Sequence, residues 1–396
     1  MAQALTREIK DIVLATVPPL EEHGQTIVSE MYNRLFENDD IRALFNQSHQ
    51  TGNSAQHAAL ANAILGYAKN IDNLEALGPV VTRIVNKHVS LQIKPHHYDH
   101  VATSLLGAIS AVLGDAATKE VLNAWGEAYW FLADLLISTE TEMYQNIAAT
   151  AGGWADWRSF TISEIITESE LIKSFILRPV DGLTVMKHRP GQYLSFDFDI
   201  PNSGKLRRNY SISCAPNGEY YRISVKKEPG GIASGWLHNT AKVGTNLQVA
   251  APAGDFFLKE STTSEVVLLS AGVGLTPMVA MLETLAANGQ KSTYLHATQN
   301  GMTHCMGDVS KSLATRSVTF FENPSAEDQK IARFDIEGRI TPGWLTANTN
   351  TNTSDYYICG PKAFMAMAVR GLLDAGVSSE RINYEFFGPA EALYAS

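Results

Sequence analysis

The period at which hydrophobic residues recur changes along this 396-residue chain, and that change limits the folds it can adopt. Near the start, Val28, Met31, Tyr32 and Leu35 recur at i, i+3, i+4 and i+7, which is typical of an amphipathic helix. From Gly152 onward polar and apolar residues alternate, as they do in half-buried strands. The chain is therefore predicted to begin with a helical region and to continue with a β region.

A third pattern follows a short Ser/Thr spacer, where predicted strands alternate with a Gly-rich turn and helices. This alternation builds a parallel sheet with helices on its faces. A chain of this length is also too long for a single core. We therefore predict an all-α domain at 1–147, a β domain at 152–259 and an α/β parallel-sheet domain at 264–396.

Charge and composition exclude several classes of partner. A formal net charge of −10 argues against nucleic acid and anionic membranes, because both require a basic surface. The longest apolar stretch, from Val266, is interrupted by two glycines and a proline, so no stable membrane association is expected. Cys214, Cys305 and Cys359 form no CxxC motif, which fits a reducing compartment. With no signal-peptide pattern, we expect a cytoplasmic protein that binds small molecules.

Four histidines crowd the segment NKHVSLQIKPHHYDH, residues 86–100, which raises the question of a metal site. His88 follows Val81, Ile84 and Val85 at helical spacing, so its side chain is predicted to face a core. Two interpretations stay open on this evidence. His88 is either a buried histidine hydrogen-bonded to the backbone or a ligand to a metal in an apolar pocket.

His96 and His100 have the four-residue spacing of zinc ligands on a helix. The helix is predicted to start at Pro95, and its apolar face contains Tyr98, whereas His96 and His100 fall on the opposite side. No third ligand lies at a usable spacing. The pair is therefore predicted to face solvent.

An apolar-face histidine followed by SLQIKPHHY, together with Tyr32, Phe45, Gln56 and Leu60 on earlier elements, resembles the globin domain of bacterial and yeast flavohaemoglobins. The resemblance implies that His88 is the proximal ligand of a haem b iron. It places Tyr32, Gln56 and Leu60 in the distal pocket and Phe45 against the porphyrin. A distal tyrosine that hydrogen-bonds to dioxygen would slow its release.

The same resemblance implies a proximal cluster around His88, made of Tyr98 and a glutamate of the last globin helix. Helical spacing alone cannot choose between Glu140 and Glu142. They lie on opposite flanks of the predicted apolar stripe, which runs through Val121, Trp125, Ala128, Leu132 and Leu135. The resemblance implies Glu140. A carboxylate at this position would make the iron-bound imidazole more basic.

In the β region, the segment RRNYSIS places Arg208 and Tyr210 on one strand face and Ser211 on the other. Downstream, Gly231 and Ser234 lie at a predicted helix N-terminus, which favours anions. Together these motifs resemble the FAD domain of the ferredoxin reductase superfamily, an antiparallel β-barrel. The resemblance implies an FAD site made of Tyr193, Arg208, Tyr210, Ser211, Gly231 and Ser234.

The C-terminal region contains AGVGLTPM, in which Pro277 replaces the third glycine of a GxGxxG fingerprint and a helix is predicted to begin near that proline. With the later Cys-Gly-Pro loop and the terminal YEFFGP, it resembles the NAD(P)H domain of the same reductases. The implied contacts with nucleotide or flavin are Gly272, Gly274, Thr276, Pro277, Cys359, Gly360, Pro361, Glu385 and Phe387. After the strand STYLHA comes TQNG, with neither a ribose-binding carboxylate nor an arginine for a 2′-phosphate, so NADH is expected and NADPH stays open.

The resemblance spans nearly the whole chain and implies a nitric oxide dioxygenase. In that scheme NAD(P)H reduces FAD, FAD reduces the haem iron, and nitric oxide and dioxygen become nitrate. Two alternatives are kept: an oxygen-binding or redox-sensing haemoglobin, and a flavin reductase for other acceptors. The protein is expected to be a monomer.

Overall fold

A computed structural model describes residues 4–45, 55–74, 78–259 and 265–388, except for the side chains of Ala55, Gln56 and Pro79. The chain divides into two compact units, the first made mainly of residues up to Ala149 and the second mainly of the rest. None of the helices in the described ranges combines the length and hydropathy that a bilayer span requires.

The first unit is helical. Its helices are α1 Arg7–Ala15, α2 Val17–Leu35, α3 Asp39–Ala43, α4 Ala55–Lys69, α5 Gly78–Ser90, α6 Pro95–Leu113 and α7 Lys119–Ala149. Helix α2 packs on α4 and α6, and α7 packs on α1, α5 and α6. Buried side chains of α2, including Ile27 and Leu35, fill the shared core. The predicted start of α6 at Pro95 is confirmed.

The long helix α7 departs in one detail from its predicted apolar stripe. Leu135 was expected on that stripe, but it is 42% exposed, and Leu136 is buried instead. The reason is that α7 contributes to two cores in succession. Its first half, with Trp125, packs into the main core of the helical unit, whereas Ala133 and Leu136 pack with Val85 of α5 in a second cluster.

The β region contains an antiparallel sheet in the order β4-β3-β6-β1-β2-β5. Its strands are β1 Arg158–Thr167, β2 Ile172–Pro179, β3 Tyr193–Ile200, β4 Gly204–Ser211, β5 Tyr221–Lys226 and β6 Asn246–Val249, with α8 at Ile232–Asn239. A bridge between Ile212, just after β4, and Ile223 of β5 joins the two ends of this order. The sheet is therefore curled into the expected antiparallel barrel.

The C-terminal region is a parallel sheet in the order β10-β9-β8-β7-β11-β12. Its strands are β7 Val266–Ala271, β8 Ser292–Thr298, β9 Arg316–Phe321, β10 Ile336–Glu337, β11 Asp355–Cys359 and β12 Ile382–Glu385. The helices are α9 Leu275–Ala287, α10 Gly307–Leu313, α11 Ala326–Lys330, α12 Pro342–Asn348 and α13 Lys362–Asp374.

The order of this sheet reverses between β7 and β11, which pair directly. In open α/β sheets a ligand binds at such a switch point, beyond the carboxyl ends of the strands. Helix α9 begins at Leu275, two residues before Pro277, and a 3-10 turn over Gly272–Gly274 leads directly into it.

Candidate functional site

On the proximal side of the helical unit, three helices bring His88, Tyr98 and Glu140 together. The His88 Nδ1 atom lies 2.7 Å from Glu140 Oε1 and 3.0 Å from the Tyr98 hydroxyl. The Tyr98 hydroxyl also donates to the same carboxylate oxygen at 2.6 Å. Glu140 is 3% exposed whereas Glu142 is exposed, so packing selects the glutamate that helical spacing left open.

This cluster fixes the chemistry of the His88 ring. Burial, followed by the hydrogen bond to Glu140, raises the pKa of Tyr98 far above its usual range, so its hydroxyl stays a donor. Because Glu140 and Tyr98 engage Nδ1, and no described residue hydrogen-bonds to Nε2, the latter is the nitrogen left for a metal. A histidine whose second nitrogen is held by a carboxylate is a usual metal ligand, so these residues fit a haem iron.

Replacing Glu140 with glutamine is expected to keep the shape of this cluster but to remove the negative charge. We expect a less basic His88 imidazole and a roughly 10-fold or greater loss of haem affinity or turnover. The iron–histidine stretching frequency, measured by resonance Raman on the ferrous protein, should fall. The matched variant Glu142→Gln removes an exposed carboxylate of the same helix and should change neither quantity. An unchanged frequency in Glu140→Gln would contradict the assigned role.

On the other side of the helical core, Tyr32 is 4% exposed and is surrounded by rings. Phe45 packs edge-on against Tyr32 with ring centroids 5.6 Å apart, and Leu60 is partly buried in the same core. Sequence reasoning missed His57, whose ring stacks on Tyr32 at 4.6 Å and whose Nδ1 lies 3.2 Å from the Ser29 hydroxyl. The predicted distal residue Gln56 has its side chain outside the described part.

A signal for His57 was present in the sequence. It precedes Leu60 by three residues, so both lie on the inner face of α4. Burial lowers the pKa of His57, so it is neutral at physiological pH. A neutral ring stacked on Tyr32 restricts the orientation of the tyrosine side chain.

The two zinc-like histidines lie at the surface, as their spacing predicted. His96 and His100 are exposed on α6, opposite buried Tyr98. His97 is half-buried, and its Nδ1 accepts a hydrogen bond from the Lys94 backbone N–H at 3.0 Å, which caps the helix. Across the described ranges, no group of three His, Cys, Asp or Glu side chains is arranged to hold a metal ion.

In the barrel, three of the residues predicted to bind flavin lie on β4, where strand geometry puts Arg208 and Tyr210 on one face and Ser211 on the other. Arg208 and Tyr210 are half-buried, and Ser211 is buried at 8% exposure. The Tyr210 ring packs edge-on against Phe196 of the neighbouring strand at 5.7 Å. Tyr193 at the start of β3 lies so close to Gly254 that a Cβ there would be 2.9 Å from the tyrosine ring.

Close backbone packing also surrounds the start of α8. A Cβ on Gly231 would lie 2.5 Å from the Ser234 hydroxyl oxygen, which accepts a hydrogen bond from the Glu228 backbone N–H at 3.2 Å. A cleft lined by Lys227, Gly231 and Gly235 opens at this helix N-terminus. The N-terminus of a helix beside a lysine favours an anion such as a pyrophosphate, so these residues fit the FAD that the resemblance implied.

At the sheet's switch point, the two predicted dinucleotide loops touch. A Cβ on Gly274 would lie 2.2 Å from the Cys359 carbonyl oxygen, so only glycine allows the GxG and Cys-Gly-Pro loops to meet. Thr276 donates from its hydroxyl to the Val273 carbonyl at 3.1 Å. Cys359 is fully buried, and burial raises the pKa of its thiol, so its side chain is a packing group.

The remaining predicted nucleotide residues lie around the same edge. Gly360 and Pro361 follow Cys359, and Pro361 caps α13. Glu385 ends β12 directly beside Cys359 in the parallel ladder. Phe387 is 46% exposed, whereas the neighbouring Phe386 packs into the domain core.

Replacing Gly274 with alanine tests the contact between these loops. The added methyl group would push Gly274 and Cys359 apart, so we expect a loss of about 1–3 kcal/mol in the free energy of unfolding and a raised KM for NADH. Denaturant unfolding and steady-state kinetics measure both. The control variant Gly343→Ala adds a methyl group into open space on a helix of the same domain and should change stability by less than about 1 kcal/mol. A wild-type KM in Gly274→Ala would contradict the contact.

Family models match three successive regions of the chain. A model described as globin matches residues 29–136, one described as an oxidoreductase FAD-binding domain matches 159–258, and one described as an oxidoreductase NAD-binding domain matches 268–370. The globin match contains His88 and Tyr98, and Glu140 lies just beyond its end at residue 136. The three regions thus correspond to haem, flavin and nicotinamide modules.

Curated flavohemoproteins are similar to this chain over nearly its full length, across all three regions. The chain is 50% identical to a flavohemoprotein of Xylella fastidiosa strain Temecula1 over 97% of both chains, and 44% identical to a flavohemoprotein of Bacillus cereus over 98% of this chain and 100% of that one. The chain is also similar to the solved flavohemoglobin of Malassezia yamatoensis, which has bound FAD and heme, with 26% identity and a TM-score of 0.85. That match covers 98% of this chain and 100% of the Malassezia chain. With its helical haem unit, flavin barrel and dinucleotide sheet in one polypeptide, this chain belongs to the flavohaemoprotein family.

Proposed function

We propose that this flavohaemoprotein is a nitric oxide dioxygenase that converts nitric oxide and dioxygen to nitrate. The observation that carries the proposal is the buried cluster of Glu140, Tyr98 and His88, with a carboxylate 2.7 Å from the ligand histidine. A related FAD/NAD-binding domain, 38% identical over 59% of this chain with a TM-score of 0.54, belongs to a protein titled nitric oxide dioxygenase from Vibrio cholerae. When bound, haem b supplies the iron that binds dioxygen. NADH supplies electrons in pairs, and FAD passes them on one at a time.

On the proximal side, the chain's part is to hold and polarise one imidazole. We assign His88 as the iron ligand and Glu140 and Tyr98 as the groups that orient it. A carboxylate accepting from Nδ1–H increases negative charge on the ring, which favours electron donation to the iron. A simple oxygen carrier has no need for such a charged proximal partner, so the cluster favours catalysis over oxygen storage.

On the distal side, we assign Tyr32, Gln56 and Leu60 to the pocket and Phe45 to the porphyrin face. The Tyr32 hydroxyl is the group proposed to donate a hydrogen bond to dioxygen, and Leu60 keeps the pocket apolar. Nitric oxide and dioxygen are small and uncharged, so an apolar pocket with one donor suits both substrates.

For the reductase half, we assign FAD to Tyr193, Arg208, Tyr210, Ser211, Gly231 and Ser234. The nicotinamide nucleotide is assigned to Gly272, Gly274, Thr276, Pro277, Cys359, Gly360 and Pro361, with Glu385 and Phe387 at the flavin. We retain the proposed domain limits of 1–147, 152–259 and 264–396. A cytoplasmic monomer remains the expected form.

The dinucleotide is proposed to be NADH. Gln299 and Glu322 directly follow the carboxyl ends of β8 and β9, and the Gln299 side-chain amide donates to the Glu322 carboxylate at 3.0 Å. Sequence reasoning did not identify Glu322 as a carboxylate at this edge of the sheet. A hydrogen bond from Arg339 lowers the pKa of Glu322, so this group is anionic. A carboxylate near the adenosine ribose disfavours a 2′-phosphate. We expect kcat/KM for NADH to exceed that for NADPH about 10-fold or more; equal values would contradict this choice.

The activity itself is tested with a nitric oxide electrode. The purified protein, loaded with haem and FAD and supplied with NADH, is expected to consume nitric oxide rapidly in air and to stop when oxygen is exhausted. Consumption that continues at the same rate under argon would contradict dioxygenation. The same assay with ferric chelates as acceptors separates a general flavin reductase from the proposed enzyme.

A further inference from the structure

Helix α9 connects the dinucleotide loop to the flavin barrel through one carboxylate. The helix begins directly after the Gly272–Gly274 turn, and Glu283 lies eight residues after its start. Its Oε1 atom lies 2.7 Å from Nη2 of Arg222, and its Oε2 atom accepts a hydrogen bond from the Ala215 backbone N–H at 2.6 Å. Both oxygens of Glu283 are therefore bound by the barrel.

The barrel side of this contact is continuous with the flavin segment. Arg222 on β5 donates from Nε to the Ser213 carbonyl at 3.0 Å, and the Ser213 backbone N–H donates to the Arg222 carbonyl at 2.8 Å. Ser213 and Ala215 follow Ser211 in the chain, within four residues of it. The carboxylate of Glu283 is thus tied to the same stretch of backbone that carries the proposed flavin residues.

The ion pair between Arg222 and Glu283 is largely shielded from solvent, and an apolar cluster also joins α9 to the barrel. The side chains of Arg222 and Glu283 are 18% and 23% exposed. Beside them, Ile172 of the barrel packs with Leu275 and Val279 of α9 in one buried cluster. An ion pair with two further hydrogen bonds, next to packed side chains, holds a helix in one orientation far better than a solvent-exposed pair does.

We propose that Glu283 is a positioning residue for hydride transfer, because it sets the distance between the nicotinamide loop and the flavin. This inference rests on the nicotinamide-to-flavin step of the proposed function. In that step the nicotinamide C4–H bond would break, and the hydrogen with both electrons would form a new bond at flavin N5. NADH would become NAD+, and FAD would become the two-electron-reduced FADH−. Transfer requires the reacting atoms about 3–3.5 Å apart, and a misplacement of about 1 Å costs on the order of 100-fold in rate.

The test uses the holoprotein with its FAD and follows flavin reduction by NADH in an anaerobic stopped-flow instrument. In Glu283→Ala, the reduction rate at saturating NADH is expected to fall about 10- to 100-fold per bound FAD, while the apparent Kd for NADH changes by less than about threefold. Glu283→Gln keeps one acceptor oxygen for Ala215 and should show an intermediate loss. The kinetic isotope effect with C4-deuterated NADH should persist in both variants, which shows that transfer itself has slowed.

The matched control is Glu327→Ala, which removes an exposed carboxylate from a helix of the same domain and should leave flavin reduction unchanged. A second variant, Arg222→Lys, keeps the charge but loses the Nε donor and should resemble Glu283→Gln. Flavin reduction at the wild-type rate in Glu283→Ala overturns the proposal, and so does a lower melting temperature with no change in that rate. Because the readout involves neither haem nor nitric oxide, its result is independent of whether the protein oxidises nitric oxide.

Discussion

Replacing His88 with alanine is expected to abolish haem retention and nitric oxide consumption while leaving the flavin reductase active. His88 Nε2 is the nitrogen available to iron, since Nδ1 is held by Glu140 and Tyr98. Alanine removes the ligand and takes the His88 Nδ1 contact away from Glu140, which is 3% exposed and keeps the Tyr98 hydroxyl. The measurement is the Soret absorbance of the purified protein, together with NADH-driven ferricyanide reduction and nitric oxide consumption.

The matched controls for this prediction are His96→Ala and His100→Ala. Both remove exposed histidines from the same crowded segment, so they should keep the Soret band and both activities. A haem-loaded His88→Ala protein that still consumes nitric oxide would contradict the assignment of His88. Loss of ferricyanide reduction along with haem would show that His88 is needed for the reductase as well, and would contradict a role confined to binding haem.

Replacing Tyr32 with phenylalanine is expected to speed the release of dioxygen and to lower nitric oxide turnover. The substitution keeps the ring that stacks on His57 and meets Phe45, and it removes only the hydroxyl. A hydrogen bond to a charged acceptor contributes about 1.5–3 kcal/mol, so dioxygen should dissociate roughly 10- to 150-fold faster. Flash photolysis or rapid mixing of the ferrous protein with dioxygen measures this rate.

Tyr67→Phe is the matched control, because it removes a hydroxyl from the same core that donates to the Ala128 carbonyl at 2.7 Å. That variant should lose about 1 kcal/mol of stability and keep the wild-type rate of dioxygen release. A Tyr32→Phe protein with wild-type release would show that another group holds the ligand. His57, which stacks on Tyr32, would then be the next residue to replace.

Local periodicity was sufficient to predict the features that depend on one helix or one strand. It separated the inward-facing His88 from the exposed His96 and His100, and it placed the start of α6 at Pro95. The alternation on β4 likewise placed buried Ser211 opposite Arg208. These features follow from the fixed geometry of a helix or strand, which a sequence pattern records directly.

Features that depend on contacts between distant elements could not be predicted in this way. Glu140 rather than Glu142 is buried because α7 changes its packing partner along its length, and the same change exposes Leu135. The hydrogen bond between Glu283 and Arg222, 61 residues apart, likewise has no local sequence signal. Such pairs are set by tertiary packing, which overrides the periodicity of any one element.

The most direct test of the central claim is the ratio of nitrate formed to NADH consumed when nitric oxide is added to the loaded protein in air. Each nitric oxide oxidised to nitrate with dioxygen requires one external electron, and NADH supplies two, so about two nitrate ions should form per NADH. That ratio should hold across nitric oxide concentrations. NADH consumption that does not rise with nitric oxide, or nitrate formation that does not track NADH, would contradict the assignment of this flavohaemoprotein as a nitric oxide dioxygenase.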